Sequence, residues 1–115
     1  MIVGIGVDMV KLSRLPLEHI HFIERVLTPG EQALFHSKKT EQAKREFLGG
    51  RFAAKEAYAK AKHLGLAKIG LQNIEILNYA SGEPYLNDPH AHLSITHEKD
   101  YAIAFVVLEK GDIDE

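Results

Sequence analysis

The chain has no cysteine among its 115 residues. That excludes a disulfide framework, a thiolate nucleophile and a cysteine-type zinc site, and it fits a reducing, cytoplasmic location. No run approaches the ~18 apolar residues of a membrane span. The most apolar stretch, "MIVGIGVDMV" at 1–10, lacks a basic leader and a small-residue cleavage site and is interrupted by Asp8. It reads as a strand and not a signal peptide. With no internal repeat, low-complexity tract or linker, one domain is expected over 1–115. Charge of one sign is also scarce overall: the formal net charge is −2, which argues against a general polyanion binder and so against nucleic acid as a partner.

The charge that is present is unevenly placed. Between Lys38 and Lys68 stand nine Lys/Arg against three Glu, whereas 109–115, "EKGDIDE", leans acidic. The middle of the chain is therefore suited to a compact phosphorylated ligand, or simply to a solvated helix face. Apolar content of 45% with 26% charged residues is ordinary for a globular domain.

Periodicity predicts an α+β fold, an antiparallel sheet packed against one long helix and shorter ones. Residues 2–10 read as a strand buried on both sides, and 17–27 as a short helix. Thr28, Pro29 and Glu31 form a helix-start signature, with the helix reaching Ser37. A long helix is predicted over 41–64, with Gly65 as its stop. Gly49 and Gly50 inside it each cost about 1 kcal/mol relative to alanine. Either the helix breaks there or something needs close access to its backbone. Two hairpins follow, "NIEILNY" turning at "SGEP", and "HLSITH" paired with "YAIAFVVLE". The last strand is apolar on both faces, which points to a subunit interface.

On a helical wheel Ala53, Ala54, Ala57, Ala61 and Leu64 form the apolar face of the long helix. Arg51, Lys55 and Lys62 form a basic stripe on the far side, and Phe52, Glu56, Lys60 and His63 line the border. Glu56 then has two readings: an i,i+4 surface pair with Lys60, or a metal ligand with a second carboxylate. Asp8 is the candidate partner, because an acid in an apolar strand is costly unless paired or metal-bound. Gly4 and Gly6 beside it admit a ligand or a neighbouring backbone. Two carboxylates with few other ligands suit Mg²⁺, which keeps waters and completes its shell with phosphate oxygens. Nearby Arg and Lys would take the remaining phosphate charge. His90 and His92 share a strand face, but no third ligand supports zinc. Ser94 lies on a strand and not on a G-x-S-x-G elbow, so a Ser-His-Asp hydrolase is poorly supported.

"GIGVDMV", "FLGGRFAAKEAYAKA", "GEPY" and "HLSITHEKDYAIAFVVLE" occur in this order across nearly the whole chain. Together they resemble the holo-[acyl-carrier-protein] synthases, the small bacterial class of 4′-phosphopantetheinyl transferases. The resemblance implies transfer of 4′-phosphopantetheine from coenzyme A to a serine of apo acyl carrier protein, releasing adenosine 3′,5′-bisphosphate and serving fatty acid biosynthesis. It implies Mg²⁺ on Asp8 and Glu56, and a homotrimer with active sites between subunits. By position, Arg51 and His97 would contact coenzyme A phosphates, and Lys60 would hold the reacting phosphate. Gly82 and Pro84 would shape a loop near the adenine, Ser94 and Thr96 would line the adjoining strand, and Arg14 would contact the carrier. Glu56, directly or through water, or else Lys60, would take the serine proton. The chain departs from the family at "KHLGLAKIG", where a Gly-Thr-Gly-like segment is usual, and at Gly49, where alanine is usual. Two further classes stand beside this reading: a non-catalytic module binding a nucleotide or protein through the basic helix, and a purely structural oligomer.

Overall fold

The structure, a computed structural model, describes residues 1–110; the end of the acidic 109–115 stretch lies outside the described residues. Strand β1 (Ile2–Lys11) is followed by helices α1 (Ile20–Val26), α2 (Pro29–Ser37), α3 (Glu41–Ala61) and the short α4 (Leu66–Ile69). Strands β2 (Ile76–Asn78), β3 (Pro84–Leu86), β4 (Ala91–His97) and β5 (Tyr101–Glu109) complete the chain. A three-stranded antiparallel sheet has the order β1-β5-β4, and β2 and β3 form a separate hairpin. The α+β expectation holds.

The central contact is α3 against the sheet, and it is made close by small residues. Ala53, Ala54, Ala57 and Ala61 of α3 face Ala102, Ala104 and Val106 of β5, all buried. On β1 the approach is tighter still. A Cβ added to Gly4 would stand 1.9 Å from the Ala61 carbonyl oxygen, and one added to Gly6 would stand 2.0 Å from that of Ala57. Those glycines therefore serve a neighbouring backbone. Close packing, here by side chains and not backbone, also accounts for the glycines inside α3, which runs unbroken from Glu41 to Ala61. A Cβ on Gly49 would meet Leu12 Cδ2 at 2.4 Å, and one on Gly50 would meet Ile95 Cγ2 at 3.0 Å.

Local signals start the helices as predicted. The Thr28 hydroxyl accepts from the Glu31 N–H at 3.2 Å, and the Glu31 carboxylate accepts from the Thr28 N–H at 2.8 Å, closing a capping box. The first helix is shorter than predicted, beginning at Ile20. The end of α3 also differs. The left-handed residue is His63, at φ 61°, with Leu64 N–H donating to the Ala59 carbonyl and His63 N–H to that of Lys60. This is the Schellman arrangement with histidine where glycine is usual. Gly65 instead precedes α4 as its N-cap.

Of the basic stripe expected on the far side of α3, Arg51 and Lys55 are buried and only Lys62 is exposed. Helices α1 and α2 and the β2–β3 hairpin cover Arg51 and Lys55. The Lys55 side chain is 0% exposed, and its three protons go to Val26 O at 2.6 Å, Glu31 Oε1 at 2.7 Å and Leu71 O at 3.0 Å. Glu31 Oε2 in turn accepts from Ile76 N–H at 2.7 Å. One buried ion pair thus ties α1, α2, α3 and β2 together. Burial pushes Lys55 below the ordinary lysine range, and Glu31 opposes that shift. Leu64, placed on the apolar face by the wheel, is 42% exposed because the helix has ended before it.

Candidate functional site

Asp8 follows Gly4 and Gly6 on the β1 face that meets α3, so the close helix–strand approach carries it to the helix flank. Lys60 reaches it from α3: Nζ donates to Asp8 Oδ1 at 3.2 Å and to the Val7 carbonyl at 2.9 Å. Glu56, one turn earlier on the same flank, is half-buried. Its carboxyl is held above the usual glutamate value by burial first and by the Asp8 charge second, with Lys60 opposing. Electrostatic coupling of Asp8 to Glu56 means that the two carboxylates share one small region.

The donor set fits Mg²⁺. Two hard carboxylates near enough to interact electrostatically lie beside β1, an outer strand of the sheet. Among the described residues no group of three or more His, Cys, Asp or Glu is gathered as a metal cage. An ion held by two carboxylates keeps its remaining positions for water and phosphate. His92, proposed above as half of a histidine pair, is turned instead to Glu109 at 2.7 Å.

A second cluster lies on the opposite flank of α3. Arg51 is buried, with Nε donating to the Ile76 carbonyl at 3.2 Å and an Nη to Asn78 Oδ1 at 2.5 Å. Its guanidinium stacks over Phe47 at 4.2 Å from the ring centre. Burial brings its pKa down to about 10, against the opposing charge of Glu31. Asn78 also donates to the Gly82 carbonyl at 2.8 Å. Arg51 therefore braces the β2–β3 turn, where Gly82 sits at φ 101° and Pro84 opens β3. Arg51 and His97, with Lys38, Glu46 and Ile95, line a cavity of about 220 Å³. Sequence reasoning missed Lys38, Glu46 and Asn78. The spacing of Phe47 four residues before Arg51 was the available hint of an aromatic shelf beneath the guanidinium.

These clusters do not meet within one chain. Glu56 and Arg51 are five residues apart on α3, which separates them by about 140° around the helix. Asp8 lies on β1 and His97 on β4, the two outer strands of the sheet, about 10 Å apart at ordinary strand spacing. Ser94 and Thr96 point away from both clusters, since they alternate with Leu93 and Ile95, which pack on the core. They are exposed opposite Phe105 and Ile103 of β5. That outer face is apolar: Ile5 is 59% exposed, Val7 51%, Met9 59% and Phe105 44%. Arg14 is exposed in a 3-10 turn directly after β1. No helix among the described residues is long and apolar enough to cross a membrane.

Comparison with known proteins adds the following. The family model of the 4′-phosphopantetheinyl transferase superfamily matches residues 4–106. A holo-[acyl-carrier-protein] synthase of Enterococcus faecalis is 50% identical, over 95% of this chain and 98% of the relative. One from Oceanobacillus iheyensis is 44% identical, over 95% and 98%. Among solved structures, the holo-(acyl-carrier-protein) synthase of Bacillus anthracis in complex with CoA (3′,5′-ADP) superposes with a TM-score of 0.88 at 42% identity. That match covers 96% of this chain and 99% of the other.

Proposed function

The chain belongs to the 4′-phosphopantetheinyl transferase superfamily, among the holo-[acyl-carrier-protein] synthases, and from that premise we propose that it moves 4′-phosphopantetheine from coenzyme A to a serine of apo acyl carrier protein in a Mg²⁺-dependent reaction. The product released from coenzyme A is adenosine 3′,5′-bisphosphate, and the holo carrier serves fatty acid synthesis in the cytoplasm. The observation that carries this reading is the meeting of Asp8, Glu56 and Lys60 on one flank of α3.

Asp8 and Glu56 would hold the metal, which supplies charge neutralisation on the phosphates when bound. Lys60, long and exposed at its tip, would bear on the phosphate that undergoes attack. Arg51 and His97 would bind other phosphate groups of coenzyme A, with Gly82 and Pro84 shaping the turn that Arg51 braces. Ser94 and Thr96, which face away from both clusters of their own chain, would line the outer face of the adjoining strand, and Arg14 would meet the acidic carrier. Glu56, directly or through a water, or else Lys60, would take the serine proton.

A homotrimer completes this arrangement. The carboxylate cluster lies at the β1 edge and the Arg51 cavity at the β4 side, so a head-to-tail ring would set one chain's first cluster against its neighbour's second. The exposed apolar face of Ile5, Val7, Met9, Ile103 and Phe105 supplies a surface of the kind that such a ring buries.

The test is intact-mass spectrometry of apo acyl carrier protein incubated with the protein, coenzyme A and Mg²⁺. One phosphopantetheine should be added by wild type and none by Asp8→Ala, Glu56→Ala or wild type in EDTA. No addition by folded wild-type protein overturns the reaction. Addition that survives Asp8→Ala overturns the metal pair.

A further inference from the structure

Two lysines of α3 are ion-paired, and they are held in opposite ways. Lys55 is locked, its three bonds buried and its side chain wholly enclosed. Lys60 rests against Asp8 Oδ1 at 3.2 Å with 55% of its side chain exposed, and its second bond goes to a carbonyl of β1, an outer strand of the sheet. A lysine stem has four flexible carbons and an ammonium that can turn its donors to new acceptors. Lys60 can therefore leave, whereas Lys55 cannot.

The position Lys60 holds is the one a divalent cation needs. Both are cations seeking the Asp8 carboxylate, and Lys60 also cancels one of the two negative charges in the cluster. We infer that Lys60 is a tethered stand-in for the metal: it pairs with Asp8 before the ion binds, yields that carboxylate when the ion binds, and carries its charge to the phosphate of coenzyme A. The inference rests on the metal pair proposed above and adds the order in which the site assembles. Without coenzyme A, the ion displaces an ammonium that keeps only the Val7 carbonyl, a neutral acceptor, in place of the Asp8 carboxylate. With coenzyme A present, the displaced ammonium gains a phosphate oxygen. Metal and coenzyme A thus bind with positive coupling, and by linkage each raises the affinity of the other by the same factor.

The two effects of Lys60 on the metal have opposite signs, which makes the idea testable without following turnover. An exposed ion pair moves an equilibrium by no more than about fivefold. Calorimetric titration with Mn²⁺ alone should therefore show Lys60→Met binding the ion about three- to fivefold more tightly than wild type. Lys60→Arg, which keeps the pair, should bind it as wild type does. With saturating coenzyme A and no carrier protein, the advantage of Lys60→Met should vanish or reverse. Lys60→Gln serves as a second neutral variant, and Asp8→Ala as the control for the site.

Equal or weaker Mn²⁺ binding by both neutral variants without coenzyme A, beside a null Asp8→Ala, overturns the stand-in alone. An advantage that persists unchanged with coenzyme A overturns the transfer of charge to the phosphate. Wild-type Mn²⁺ binding by Asp8→Ala overturns the metal pair and this inference with it.

Discussion

Replacing Gly6 with alanine should damage both the stability and the metal site of this protein through one displacement. A Cβ at Gly6 would stand 2.0 Å from the Ala57 carbonyl oxygen, and real Cβ atoms essentially never come within 3.0 Å of such a neighbour. Helix and strand must therefore part by at least about 1 Å, because the obstacle is backbone and has no rotamer to change. Overpacking of this kind costs about 1–3 kcal/mol, and a backbone obstacle places it at the upper end. Unfolding entropy near 2.1 cal/mol/K per residue makes ~3 kcal/mol a fall of ~12 °C in Tm for a chain of this length. Asp8 lies two residues beyond Gly6, and Glu56 immediately precedes Ala57. The same separation moves the carboxylates apart and should weaken Mn²⁺ binding at least severalfold. Gly65→Ala is the control, since no atom lies within 4 Å of its added Cβ, and it should change stability by less than ~0.5 kcal/mol. Melts at one fixed protein concentration, with Mn²⁺ titration of the folded variants, decide the matter. A Gly6→Ala protein that melts within ~3 °C of wild type would refute the close-approach argument.

Two further outcomes follow from the buried and half-buried charges. Lys55→Met leaves the Glu31 carboxylate enclosed without its cation and should cost about 3–5 kcal/mol, read from the urea midpoint; a loss below 1 kcal/mol would contradict the hub. Glu56 has a folded pKa above its unfolded value, so the native state holds more protons and stability falls as pH rises through that window. Glu56→Gln should accordingly make the metal-free protein more stable than wild type at neutral pH, with the difference fading below the ordinary glutamate pKa of 4.5. Urea unfolding in EDTA at several pH values checks the sign.

Much of this fold was legible because its signals are local. The capping box at Thr28 and Glu31, the hairpin of β4 and β5 and the small face of α3 each declare themselves within a few residues. Asp8 stood out because an acid inside an apolar strand needs a partner, and Lys60 and Glu56 lie beside it. The misread parts depend on partners remote in sequence. Lys55 looks like a solvated cation until Glu31, Val26 and Leu71 arrive from elsewhere in the chain to take its protons. The burial of Arg51 likewise depends on Asn78, 27 residues away, although its other neighbour Phe47 lies only one turn earlier. The end of α3 was misplaced for a different reason: His63 accepts a left-handed conformation that sequence reasoning assigns to glycine first.

The helical wheel already set Arg51 and Glu56 on different stripes of α3, while the family resemblance put them in one active site. A site shared between two chains, as proposed above, reconciles the two, and that arrangement predicts a number. Asp8→Ala removes function from the β1 side of a chain, and Arg51→Ala removes it from the other flank. In a head-to-tail ring each site takes its carboxylates from one chain and its Arg51 from the next. When the two inactive proteins are mixed in equal amounts and allowed to exchange subunits, half of the carboxylate sides and half of the Arg51 sides are intact. Random assembly unites two intact sides in about a quarter of the sites. Phosphopantetheinylation of apo acyl carrier protein should therefore return to roughly one quarter of the wild-type rate, with none before mixing. If each chain held a whole site, every site would carry one lesion at any mixing ratio. No recovery, with subunit exchange verified by native mass spectrometry, would refute the shared site.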